Sequence, residues 1–112
     1  MLNLTTETAA EVTFIAVGGE VDLVSAPDLA ACIDRAIDSG TQKIVLDCAA
    51  LTYLDSSGIT VLVEAWKTMA GRAAMPVVVA NVQPNIHRIL EICGITDLLI
   101  EATPVMPKPT DA

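Results

Sequence analysis

Hydrophobic positions along the chain fall into short blocks that switch between a period of two and a period near 3.6. Leu2, Leu4 and Thr6 alternate with polar neighbours, and Val12-Thr13-Phe14-Ile15-Ala16-Val17 is β-branched and apolar. These blocks predict two strands joined by a polar connection over residues 7–11, a hairpin that opens the fold. After Gly18-Gly19-Glu20-Val21-Asp22, the run Ser25-Ala26-Pro27-Asp28 reads as a helix start, with Ser25 as N-cap, Pro27 in the first turn and Asp28 at the capping-box position. Leu29, Cys32, Ile33, Ala36 and Ile37 then share one helical face, and Gly40 suits the position after the helix end.

Lys43-Ile44-Val45-Leu46-Asp47 is a nearly continuous apolar block, the pattern of a strand flanked by neighbours. Residues 48–54 read as a linker. From Asp55-Ser56-Ser57-Gly58 onward, Ile59, Leu62, Val63, Trp66, Met69 and Ala70 recur at helical spacing, predicting a second helix closed near Gly71. Residues 75–80 form a third apolar strand, and Pro84 starts a helix with Ile86, Ile89, Leu90 and Cys93 on one face and Gly94 as its stop. A last strand is expected over residues 98–101, followed by a flexible tail over 104–112 punctuated by Pro104, Pro107 and Pro109. The predicted order is β-β-α-β-α-β-α-β, an α/β fold with a small, mostly parallel or mixed sheet and its helices packed mainly on one face.

Composition narrows the class. With 112 residues, 53% hydrophobic, 18% charged and only 3% aromatic, the chain is one folded domain with an aliphatic core. Six Lys and Arg against 14 Asp and Glu give a net charge of −8, which argues against direct binding to nucleic acid or to an anionic membrane, because phosphate is bound by neutralising it. Cys32, Cys48 and Cys93 form no C-x-x-C and suggest neither a disulfide framework nor a zinc site, so a reducing cytoplasm is expected. The first residues carry no basic and apolar leader pattern, and Pro76 and Pro84 cut the long uncharged stretch after Arg72; the protein is expected to be neither secreted nor membrane-spanning.

One segment carries chemistry. Asp55-Ser56-Ser57-Gly58 stands at a helix start, where Asp and Ser are favoured simply as caps. A hydroxyl there is also a good carrier for phosphate, since free N–H groups and the helix dipole stabilise an anion. A neighbouring carboxylate opposes that effect, so phosphorylation beside Asp55 would concentrate negative charge and change what the surface binds.

Asp55-Ser56-Ser57-Gly58-Ile59, preceded by the Ile44 to Asp47 block and by Leu51-Thr52-Tyr53-Leu54, resembles the signature of the STAS domain of anti-sigma factor antagonists. Val17-Gly18-Gly19-Glu20-Val21-Asp22 with Ala26 and Leu29 is similar to that family's first motif, and Pro84, Arg88, Leu90 and Gly94 follow its third-helix pattern. The likeness spans residues 2–103. It implies a single STAS domain over 1–103: a cytosolic protein whose unphosphorylated form binds a serine-kinase anti-sigma factor and releases the sigma factor. In that family the kinase phosphorylates a serine of this motif and a PP2C-type phosphatase removes the phosphate. Carried over singly, the phosphoacceptor maps to Ser57, with Ser56 as fallback, and the partner-binding positions are Asp22, Asp55, Ser56, Gly58 and Thr60. No cofactor is implied. Thr60 stands where many members have a second glycine, and Cys48-Ala49 replaces a commoner Leu-Ser, so the fit to a particular kinase is expected to differ.

Two other readings stand beside this one. An enzyme would use Ser56 or Ser57 as nucleophile with His87 as base, but there is no G-x-S-x-G elbow and no evident carboxylate to orient His87, which is expected to face solvent. A docking subunit of a lipid-transport ABC complex, or a stressosome-like scaffold, would use the same fold without the sigma-factor circuit. The intact motif and the freestanding length favour the antagonist. Cys32 and Cys93 are expected as buried thiols on core faces, with Cys48 left open; Trp66 and Met69 are expected as packing residues. Glu20 and Asp22 fit a strand-end turn and a partner contact equally.

Overall fold

The structure is a computed structural model and describes residues 1–101, so the tail expected over 104–112 lies outside the described residues. Its elements are β1 (Leu2–Ala9), β2 (Val12–Val21), α1 (Ala26–Asp38), β3 (Lys43–Asp47), β4 (Leu51–Leu54), α2 (Ser56–Met69), β5 (Val77–Ala80), α3 (Pro84–Ile92) and α4 (Thr96–Leu99).

β1 and β2 form the expected antiparallel hairpin, but its connection is shorter than the polar residues suggested. Only Ala10 and Glu11 turn, both at positive φ (51° and 69°), while Glu7 and Thr8 remain paired with Phe14 and Thr13. Two successive left-handed residues match the twist of the flanking strands, so a two-residue turn suffices. The outer strand is exposed at nearly every position after Leu4, and its polar residues therefore do not end it.

β2 organises the sheet. Its first half runs parallel to β3, with Val12 opposite Lys43 and Ala16 opposite Asp47, and its last residues run parallel to β4, with Val21 opposite Leu54. β3 pairs in turn with β5, giving a five-stranded mixed sheet in the order β1-β2-β3-β5 with β4 joined to the end of β2.

β4 corrects the linker expected over 48–54. Leu51 and Leu54 are buried and Thr52 and Tyr53 exposed, a spacing of three that carries no strand period. The terminal strand expected over 98–101 is also absent: Thr96–Leu99 is one helical turn, in which Ile95 and Leu99 are buried four residues apart. A short apolar run does not distinguish strand from helix, and here the next-turn spacing decides.

The buried residues of all four helices join one cluster on one face of the sheet, around Ile15, Ile44, Leu46, Val77 and Val79. α1 and α2 cover that face as amphipathic helices, Leu29, Ile33 and Ile37 from one and Leu62, Ala65 and Met69 from the other. Met69 packs fully buried, whereas Trp66 is only half-buried and Ala70 exposed, so the buried stripe of α2 runs through Ala65 instead. Cys93 corrects a second expectation. It caps α3 in the open, because the helix ends at Ile92 and the chain turns through Gly94 (φ 72°), placing Ile95 in the core.

Candidate functional site

The site assembles where β2 and β4 end side by side. Val21 and Leu54 are register partners on parallel strands, about 4.8 Å apart as neighbouring strands are. Asp22 and Asp55 are the next residue on each strand, and the Asp55 N–H donates to the Val21 carbonyl at 3.3 Å. Sequence separation of 33 residues is thus closed by one ladder.

Asp55 has extended backbone and serves as the N-cap of α2: its Oδ1 accepts the Ser57 N–H at 2.9 Å. This satisfies one of the donors that a helix start leaves free, and it seats the Asp55 carboxylate against the first turn. Ser57, in that turn, is half-buried, and Ser56 is exposed. The Ser56 carbonyl accepts the Thr60 hydroxyl at 2.9 Å, one turn along the exposed side of the helix. Thr60 also lines a shallow groove between α1 and α2 with Ile33, Asp34 and Glu64.

Gly58 requires a correction. Expected among the partner-facing residues, it is buried under the helix, where an added Cβ would stand 2.3 Å from Leu54 Cδ1 and 2.7 Å from Val21 Cγ1. Its missing side chain lets α2 sit down on the ends of β2 and β4, so it acts on the site through position.

The β2–α1 loop is held by Asp22. Its Oδ1 accepts the N–H groups of Val24 (3.0 Å) and Ser25 (2.9 Å), while Ser25 Oγ accepts the Asp22 N–H (3.0 Å) and lies within donating distance of the Glu20 carbonyl (2.9 Å) and Asp22 Oδ1 (3.0 Å). The backbone N–H and then the hydroxyl of Ser25, with help from Val24 N–H, hold the Asp22 carboxyl below its ordinary pKa against the opposing effect of desolvation. Ser25 stands at the N-cap position of α1 with no side-chain bond to that helix, and the capping role expected of it passes to this loop. Between Asp22 and Ser25, Leu23 and Val24 are 76% and 86% exposed. The pair had a visible sequence signal, two apolar residues belonging to neither the β2 block nor the α1 face.

His87 and Cys48 stand apart from this group. His87 Nδ1 lies 3.3 Å from Glu91 Oε1 on the same half-exposed side of α3, so an orienting carboxylate exists although the sequence pattern did not single it out. The pair lines an open groove with Pro84 and Arg88 that contains neither serine of the motif. The Cys48 thiol is buried, and desolvation with the adjacent Asp47 charge pushes its pKa up to about 12, which leaves it protonated and unreactive.

A mixed sheet with a parallel core and helices on one face thus carries, where β2 and β4 end together, a serine-bearing helix start capped by Asp55 and, on the adjoining strand end, a loop braced by Asp22. The chain belongs to the STAS domain family, whose model it matches over residues 3–112. It is 29% identical over 100 residues to an anti-sigma-B factor antagonist of Staphylococcus aureus, covering 88% of this chain and 92% of that one. Among solved structures, an anti-sigma factor antagonist from Mycobacterium paratuberculosis matches 99% of this chain and 90% of its own with a TM-score of 0.78 and 23% identity. The unphosphorylated anti-sigma factor antagonist SpoIIAA matches 90% and 89% with a TM-score of 0.75 and 20% identity, and the phosphorylated form of the Bacillus protein has a TM-score of 0.68. No helix among the described residues is long and apolar enough to cross a membrane.

Proposed function

We propose that this protein is an anti-sigma factor antagonist that works by partner switching. Its unphosphorylated form binds a serine-kinase anti-sigma factor in the cytoplasm and frees the sigma factor; the kinase then phosphorylates Ser57 and ends the binding, and a PP2C-type phosphatase restores it. The protein is a substrate of both enzymes and catalyses nothing itself.

The observation that carries this reading is the Asp55 carboxylate bonded to the Ser57 N–H at the end of β4, next to the end of β2 that Asp22 follows. The Ser57 N–H is already taken by Asp55, so a phosphate on Ser57 would arrive beside a carboxylate that occupies its natural donor. Adding about −1.5 to −2 charge there produces repulsion strong enough to change a protein contact. Leu23 and Val24 supply exposed apolar surface next to the switch, on a loop braced by Asp22. Apolar anchors ringed by polar groups are what a protein partner buries. Relatives named as antagonists of an anti-sigma factor support the choice of partner.

The test is phosphorylation by a kinase-type anti-sigma factor with Mg-ATP, read by site-localised mass spectrometry. One phosphate is expected on Ser57, lost in Ser57→Ala and kept in Ser56→Ala. A kinase that binds the protein tightly yet leaves both serines unmodified would overturn the reading.

A further inference from the structure

β1 forms one outer edge of the sheet, with no strand among the described residues on its far side. It runs for eight residues, and every position after Leu4 is exposed. Folded proteins guard such an edge with a lysine, a proline, a bulge or a covering helix, because its outward N–H and C=O groups are open to another strand. Leu2-Asn3-Leu4-Thr5-Thr6-Glu7-Thr8-Ala9 has no lysine and no proline, and it pairs with β2 without a register shift. The opposite outer strand, β5, is guarded: it is four residues long and α4 packs against it.

The hairpin fixes which groups face outward. In a two-residue turn at positive φ, Ala9 and Val12 are the hydrogen-bonded pair that closes the loop, and such pairs alternate along an antiparallel ladder. Asn3, Thr5, Glu7 and Ala9 therefore bond to β2, while Leu2, Leu4, Thr6 and Thr8 direct their N–H and C=O groups away from it. Among the described residues, no backbone group outside the strand ladders takes these up. Thr5 and Glu7 lie on the helix-free face, where Glu7 is opposite Phe14 and Phe14 opposite Val45, part of a second buried row with Val78 and Ala80. Leu2 and Leu4 face the helix layer and are only partly buried.

We propose that β1 is a self-association edge: two copies of this chain pair β1 with β1, antiparallel about a two-fold axis through Thr5, so that the two sheets become one. The strand is complementary to itself in this register. Leu4 falls opposite Thr6 and Leu2 opposite Thr8 of the second copy, so outward groups meet outward groups in about eight hydrogen bonds. A shift by one residue would set outward groups against inward ones and turn the two helix layers to opposite sides. Charge agrees with the register. Glu7, the single charged residue of β1, stands opposite Asn3, and the two Glu7 carboxylates are separated along the pair by about 14 Å, past the screening length of about 8 Å. The open flanks of Leu2 and Leu4 gain the methyl groups of Thr8 and Thr6 as cross-strand neighbours. One strand from each copy makes a small interface, so the dimer is a weak one that forms as concentration rises.

Sedimentation equilibrium of the full chain, from micromolar to millimolar concentration, tests this. A monomer–dimer equilibrium is expected, weakened about tenfold or more in Thr6→Pro, which removes an outward donor from each copy and leaves the bonds to β2 intact. Cysteine cross-linking in a Cys93→Ser background reads the register. The two Thr5 positions face each other across the axis as a non-hydrogen-bonded pair, with Cα atoms about 4.5 Å apart, so Thr5→Cys is expected to give a disulfide-linked dimer, and Glu7→Cys, on the same face, is not. A monomer at every concentration would overturn the proposal, as would a dimer that Thr6→Pro leaves unchanged or that Glu7→Cys links as readily as Thr5→Cys. Should Thr6→Pro fail to fold, the wild-type equilibrium and the cross-links decide.

Discussion

At Gly58 an absent side chain positions the serine beside it. A Cβ there would come within 2.3 Å of Leu54 and 2.7 Å of Val21, and Val21 is fully buried on a strand, where its branched side chain has little freedom to move. Two effects oppose each other in Gly58→Ala: helix propensity favours alanine by about 1 kcal/mol, and overpacking costs about 1 to 3 kcal/mol. With contacts this short the packing cost wins. The variant should lose about 1 kcal/mol in chemical denaturation, and its α2 start should lift from the sheet and slow Ser57 phosphorylation. A midpoint that is unchanged or raised would show that Leu54 yields freely. That the tetrapeptide caps a helix was legible from residue types alone. The direction in which Gly58 faces was not, because it depends on Val21, a residue 37 positions earlier.

Between elements, the β2–α1 loop links a strand to a helix through one carboxylate, and its integrity follows the ionisation of Asp22. The carboxyl is held below its ordinary pKa by Ser25 and Val24 donors, so ionised Asp22 favours the folded loop. That contribution is present above the unfolded value of about 3.9 and is lost as pH falls through the lower folded value. The Val24 and Ser25 amide resonances should therefore hold through pH 4 and move below it, together with the Asp22 carboxyl signal. Amides that follow a transition centred at or above pH 4 would contradict this assignment. Helix α1 was readable from its apolar face and from Gly40, which indeed takes positive φ (87°) just after the Ser39 cap. The helix start falls at Ser25 as its residue types indicate, but the expected side-chain cap is not made, because Ser25 bonds instead to the preceding strand end, as side chains of this kind do where a nearer backbone partner lies. Strand β4 and the one-turn α4 were missed for a related reason: four residues are too few to express either period.

For the whole molecule, the net charge of −8 sets the background on which one phosphate acts. Asp55 gives part of that charge a location beside Ser57, and Asp22 follows the adjoining strand end. Ser57→Ala should bind the kinase-type partner as the wild type does, and Ser57→Asp more weakly. The gap should narrow as salt rises, since half-exposed charges are screened over about 8 Å at physiological ionic strength. Titration calorimetry at two salt concentrations decides: equal affinities would remove the electrostatic account, and a gap indifferent to salt would replace it with a steric one. The sequence by itself determined the α/β class, the opening hairpin, three of the helices and a capped helix start at Asp55, because these rest on local periodicity and capping preferences. Only the tertiary structure decided that the strand ends before Asp22 and Asp55 lie side by side, that Gly58 faces inward, that Cys93 is exposed, and that a second apolar row lies behind the sheet. Each of these depends on which strands become neighbours and in what register, and register is set by packing between segments distant in the chain.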